Sequence, residues 1–119
     1  MKFGATIRAL REKKGISLRK FAETIGISPT YTSKIERDEF PPPGEETIKR
    51  MAQTLGQDAD KLLALAGKAA SDISEIAQQR PDILPTFFRQ AATLSDENLR
   101  KLAKRIEQMK RLEESQRKH

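Results

Sequence analysis

Apolar residues recur along the chain with helical period, and no stretch alternates as a half-buried strand does. Phe3, Ile7 and Leu10 share one face of a segment from Phe3 to Lys14, which Gly15 ends. Ser17 can cap a second helix over residues 18 to 25, with Leu18, Phe21, Ala22 and Ile25 turned inward and Gly26 as its stop. Ser28 and Pro29 open a third helix. The serine hydroxyl can accept from the first free N–H groups, and proline fits the first helical position, where no N–H is needed. The stretch RDEFPPPGEE holds three consecutive prolines and predicts a stiff, extended loop. A fourth helix over residues 45 to 55 aligns Ile48, Met51, Ala52 and Leu55 before Gly56. Asp58 opens a fifth, where Leu62, Leu63 and Leu65 supply apolar surface.

Small residues from Gly67 to Ser71 suggest a boundary, dividing the chain into residues 1–67 and a helical extension over 68–119. The extension begins with a helical segment over 71 to 79, bearing Ile73, Ile76 and Ala77, which Arg80-Pro81 breaks. Ile83, Leu84, Phe87 and Phe88 follow, and Pro85 places the start of regular helix at or after Leu84. Ser95 caps a last helix that runs to about Glu113, before a charged tail. Along it Leu99, Leu102, Ile106 and Met109 repeat at the spacing of a coiled-coil seam. That seam can meet a second copy of the chain, or pack on Phe87 and Phe88 of its own. The predicted fold is all-α.

The third helix breaks the pattern. In SPTYTSKIER, Ile35 is the one strongly apolar residue, helped by the body of Tyr31; most others are hydroxyls and cations. A core helix carries a wider apolar stripe. Charge points the same way. The net charge is +6, and the chain is 36% hydrophobic and 34% charged. Residues 1 to 37 hold nine cations (Lys2, Arg8, Arg11, Lys13, Lys14, Arg19, Lys20, Lys34, Arg37) against Glu12, Glu23 and Glu36. The first third is therefore the candidate face for a polyanion. Two short helices joined at Gly26, with small Ala22 at the crossing and Ile27 plugging the gap, form a helix-turn-helix pattern. Its second helix is free to enter a DNA major groove.

LREKKGISLRKFAETIGISPTYTSKIERDEFPPPGEETIKRMAQTLG resembles the XRE family of lambda-repressor-like helix-turn-helix regulators, over roughly residues 4 to 66. The linked features are LRE and KKG, the S-L-x-x-F-A start of the second helix, IGIS, Y-x-S-K-I-E-R, the proline loop and I-x-x-M-A-x-x-L-G. The resemblance implies a five-helix, lambda-repressor-like DNA-binding domain with a helical C-terminal extension. By position it implies base reading by Pro29, Thr30 and Lys34, with Ser33 on the same face. Lys34 would donate to guanine O6 and N7. Arg19, Tyr31 and Arg37 are the candidates for phosphate contacts. Arg11 and Glu36 are expected to form a partly buried structural pair. Three positions depart from the family pattern. Leu18 stands where a DNA-touching Gln is usual, so that contact is expected to be lost; Thr32 stands where an aliphatic residue usually supports the core, and Asp38 where Gly is usual.

The expected function is sequence-specific binding of double-stranded DNA by a homodimeric repressor of a palindromic operator. The seam Leu99, Leu102, Ile106 and Met109 would be its dimer contact. An alternative makes the C-terminal half a protein-binding module, with a toxin or an ImmA/IrrE-type metallopeptidase as partner and DNA binding kept for autoregulation; exposed apolar residues from Ile83 to Phe88 motivate it. No nucleophile–base pair, phosphate-cradling glycine loop or metal-ligand cluster stands out, so no enzyme activity, metal or cofactor is expected. The chain has no Cys, which excludes thiolate sites. His119, in a charged tail, is given no catalytic role. The charged N-terminus is unlike a signal peptide, and no apolar run is long enough to span a membrane, so a cytoplasmic protein is expected.

Overall fold

A computed structural model describes residues 2–118; His119 lies outside them. The fold is all-α. Its helices are α1 (Phe3–Lys13), α2 (Leu18–Ile25), α3 (Pro29–Glu36), α4 (Glu45–Leu55), α5 (Ala59–Leu65), α6 (Ser71–Gln79), α7 (Leu84–Ala91) and α8 (Asp96–Arg117). No helix among the described residues is long and apolar enough to cross a membrane. The chain divides into two compact units, Met1–Ser74 and Glu75–His119.

Caps set the helix ends. Ser17 accepts from the N–H of Lys20, Ser28 from Tyr31 and Ser95 from Asn98. Gly26 takes the left-handed conformation, with φ 81°, and the N–H groups of Gly26 and Ile27 both bond back to the Ala22 carbonyl. These bonds end α2 and turn the chain into α3, which packs back on α2. The Arg50 side chain of α4 donates to the Ile25 carbonyl at 2.9 Å, closing the end of α2.

In the first unit, Phe3, Ile7, Phe21, Ile25, Ile35, Ile48, Met51, Leu55 and Leu63 form a buried core, with Leu10, Ile27 and Tyr31 packed against it. α3 packs on α1 and α2, and α4 on α2 and α5. Leu65 differs from expectation: it is exposed. Leu62 and Leu63 already fill the inner face of α5, and Leu65 projects more than a quarter turn from their bisector. Thr32 is fully buried in an aliphatic setting, and its hydroxyl donates to the Ser28 carbonyl at 2.8 Å. That bond removes the penalty of a buried hydroxyl.

Asp38 explains its own departure. Its φ is +58°, a left-handed conformation that Asp tolerates better than most residues. Its carboxylate accepts from the N–H groups of Gly4 and Ala5, at 2.9 and 3.2 Å. The N-cap residue of α1, Lys2, offers no side-chain cap, so Asp38 caps that helix from across the fold and meets its positive dipole end. Close approach requires Gly4: a Cβ there would collide with the Ile35 carbonyl and press on the Asp38 carboxylate. Gly4→Ala is therefore expected to destabilise the chain by about 1–3 kcal/mol, although alanine is the better helix former. Urea unfolding tests this, and an unchanged midpoint would mean that α1 is not held against the end of α3.

At the end of the first unit, the Glu45 carboxylate accepts from the Ser71 N–H at 2.9 Å and pairs with Lys49. The Ser71 bond, foremost, holds the Glu45 carboxyl below its ordinary value, and Glu45 in turn raises Lys49. The described residues of the second unit contain no fully buried side chain. Ile83 and Leu112 are each 64% exposed. α8 also runs beyond the expected end at Glu113, to Arg117. Nothing in EESQR breaks a helix, and a basic residue suits its last turn.

Candidate nucleic-acid interface

α3 has one edge in the protein and the rest free. Thr32, Ile35 and Glu36 are its buried positions. Helical spacing then puts Thr30, Ser33, Lys34 and Arg37 together on the outer side. Pro29, Thr30 and Arg37 are exposed, and Ser33, Lys34 and Tyr31 are half-buried.

The outer face has two flanks. On one, Pro29, Thr30, Ser33 and Arg37 border a shallow concavity with Leu18 of α2. An adjoining concavity shares Leu18, Ser33 and Arg37, and adds Arg8, Arg11 and Glu36. On the other flank, the Lys34 ammonium lies 4.9 Å from the centre of the Phe40 ring. Phe40 stands on the loop after α3 and packs at a tilt on Tyr31, with ring centres 6.0 Å apart. Four of the residues singled out from sequence thus meet on the first flank, and Lys34 and Tyr31 on the second. Arg19 is exposed on α2 and borders neither concavity.

Charge on this face is only lightly neutralised. Arg37 sits 3.5 Å from Glu39, and Arg8 pairs with Glu12 at 3.0 Å; all four side chains are about half exposed. Such pairs contribute little and open readily for a phosphate. Arg11 is different. Its Nε donates to Glu36 at 2.8 Å, a second nitrogen to the other Glu36 oxygen at 3.0 Å, and a third to the Ile16 carbonyl at 2.8 Å. The Glu36 carboxylate, chiefly through its hydrogen bonds, holds the Arg11 pKa above its already high ordinary value. No buried side-chain N or O among the described residues lacks a partner. Arg11–Glu36 thus fixes α3 to α1, leaving Arg8, Arg37 and Lys34 as the adaptable cations.

Arg8, one of the nine cations of the candidate polyanion face, and Phe40 join the residues assigned individual roles. Arg8 lies one turn before Arg11, a spacing that puts it on the same side of α1. Phe40 had a signal too, as an aromatic ring in an otherwise polar, proline-rich loop.

On the second unit, Leu99 and Leu102 are half-buried, while Ile106 and Met109 are 40% and 53% exposed. Leu112 extends the same apolar strip by three residues and is barer still.

The profile of a family described as "Helix-turn-helix domain" matches residues 4–68. The chain is 36% identical over 59 residues to the HTH-type transcriptional regulator SlrR of Bacillus subtilis, a match that spans 50% of this chain and 39% of SlrR. Among solved structures, SinR, the master regulator for biofilm formation, in complex with DNA is similar at 31% identity and a TM-score of 0.48, over 51% of this chain and 97% of that one. A SinR–SinI protein complex matches over 91% of this chain and 97% of that one, at 21% identity and a TM-score of 0.50. The last similarity is one of fold alone.

Proposed function

The chain belongs to the XRE-like helix-turn-helix family of transcriptional regulators, and from that premise we propose that it is a homodimeric repressor of a palindromic operator. One observation carries the proposal: the outer face of α3 is bordered by hydroxyls and lightly paired cations, while the buried Arg11–Glu36 pair holds the helix rigid behind it. Donors carried on a firmly anchored helix that can enter the major groove are what base reading requires. Pro29, Thr30, Ser33 and Lys34 would meet base edges. Arg19, Tyr31 and Arg37, joined by Arg8, would hold phosphates and set register. The partly exposed strip Leu99, Leu102, Ile106, Met109 would pair two copies, so that two α3 helices address two half-sites. Occupying an operator in the cytoplasm would exclude polymerase from the promoter.

Lys34 tests this site. It must leave the Phe40 ring to reach a guanine, which offsets part of its gain by about 0.5–1 kcal/mol. Lys34→Ala is still expected to weaken operator binding by about 1–3 kcal/mol and to relax preference at one position per half-site. Binding-site selection with both proteins reads this, and an identical consensus and affinity would remove Lys34 from the readout.

A second reading draws on the bare apolar residues Ile83 and Phe88. They would receive a partner protein, such as a toxin or an ImmA/IrrE-type peptidase, and DNA binding would serve autoregulation. A chain that sediments as a monomer and co-purifies with one defined second protein favours that reading.

A further inference from the structure

Leu18 borders both concavities beside α3, yet neither the core nor the start of its helix needs it. Phe21, Ala22 and Ile25 supply the buried face of α2, and Ser17 already caps its first turn. Leu18 itself is only half-buried, among Thr30, Ser33 and Arg37 of the DNA-facing side. The Pro29 ring lines the same concavity, and so does Thr30, whose side chain carries a methyl group. Ser33 and Arg37 complete its border with polar groups. The result is a small apolar patch set within a cationic surface.

In the major groove of duplex DNA, the apolar group that base pairs present is the C5-methyl of thymine. Arg37 lines the same concavity and Arg8 the adjoining one, and a phosphate backbone beside such a base would attract both cations. We infer that Leu18, with Pro29 and Thr30, forms a receptor for one thymine methyl in each half-site. Leu18 is then a specificity-determining residue that selects T over C by burying a methyl group. The inference rests on the DNA-reading function proposed above and adds a base to it.

The test uses the full chain and the operator returned by binding-site selection. Each thymine is replaced singly by deoxyuridine, which removes the methyl and leaves every hydrogen-bonding group. One thymine per half-site is expected to be sensitive, with affinity falling about four-fold, the worth of one buried methyl-sized group. Leu18→Ala is expected to bind the thymine and uracil operators equally at that position. Leu18→Ser, which leaves only a short polar group, should also abolish the difference, and its unfolding midpoint shows that α2 is intact. No sensitive thymine, or sensitivity that persists in both variants, overturns the receptor. A selection that yields no consensus removes the regulator reading itself, and the receptor with it.

Discussion

Glu36→Ala is expected to destabilise the N-terminal unit by about 3–5 kcal/mol, the largest effect of any single substitution proposed for this chain. The Arg11 and Glu36 side chains retain 10% and 3% of their exposure, and they meet through two parallel hydrogen bonds. Removing the carboxylate strands a guanidinium whose remaining partners are the Ile16 carbonyl and a distant Glu12 at 4.0 Å. That cost is a large share of a domain's total stability, which is about 5–15 kcal/mol. The intact pair is not itself a large stabiliser. Replacing both residues together, by Met at 11 and Leu at 36, is expected to recover most of the loss, because no charge is then left alone. Urea unfolding of the single and double variants measures both. A Glu36→Ala loss below about 1 kcal/mol would mean that the pair behaves as a surface ion pair. The consequence for function is direct, since the pair ties the end of α3 to α1 and so sets where Thr30, Ser33 and Lys34 stand.

Ending the chain after Ser74 is expected to leave a folded monomer that binds a two-half-site operator at least about 100-fold more weakly. The first unit contains all of the buried core, and this cut keeps Ala70 and the Ser71 amide bond to Glu45. A cut after Gly67, at the boundary suggested by small residues, loses both. What the truncation removes is α7, α8 and most of α6, whose apolar residues are at most half-buried. Linking two recognition helices makes the second binding event intramolecular, and that advantage vanishes for a monomer. Sedimentation equilibrium and DNA titration of the shortened chain test both halves of the expectation. A truncated protein that still sediments as a dimer would place the interface in the N-terminal unit.

The helices of the first unit were legible because their signals are local. Serine caps, glycine stops and apolar spacing are written within a few residues of each end. Glu36 and Arg11 were legible only through the family resemblance, since 25 positions separate them. Contacts made by loops were not legible at all. Nothing local says that Asp38 caps α1, or that Phe40 turns back onto Tyr31 and Lys34, because both depend on how the chain folds over itself. Leu18 illustrates a different difficulty. Its helical position allows either a core or a surface role, and only the packed neighbours place it beside α3. Leu65 is exposed because its short helix has an inner face that two leucines already fill, which apolar content alone does not reveal. The end of α8 is hidden because a charged tail has the same composition whether or not it is helical.

On the proposed function, the outer face of α3 reads base sequence. Selection of bound duplexes from a randomised DNA pool, followed by titration of the winner and a scrambled control at two salt concentrations, tests it most directly. The expected result is a two-fold symmetric consensus, bound far more tightly than the control and weakening with salt as cations release counterions. A pool that stays random, with winner and control bound alike, would contradict it.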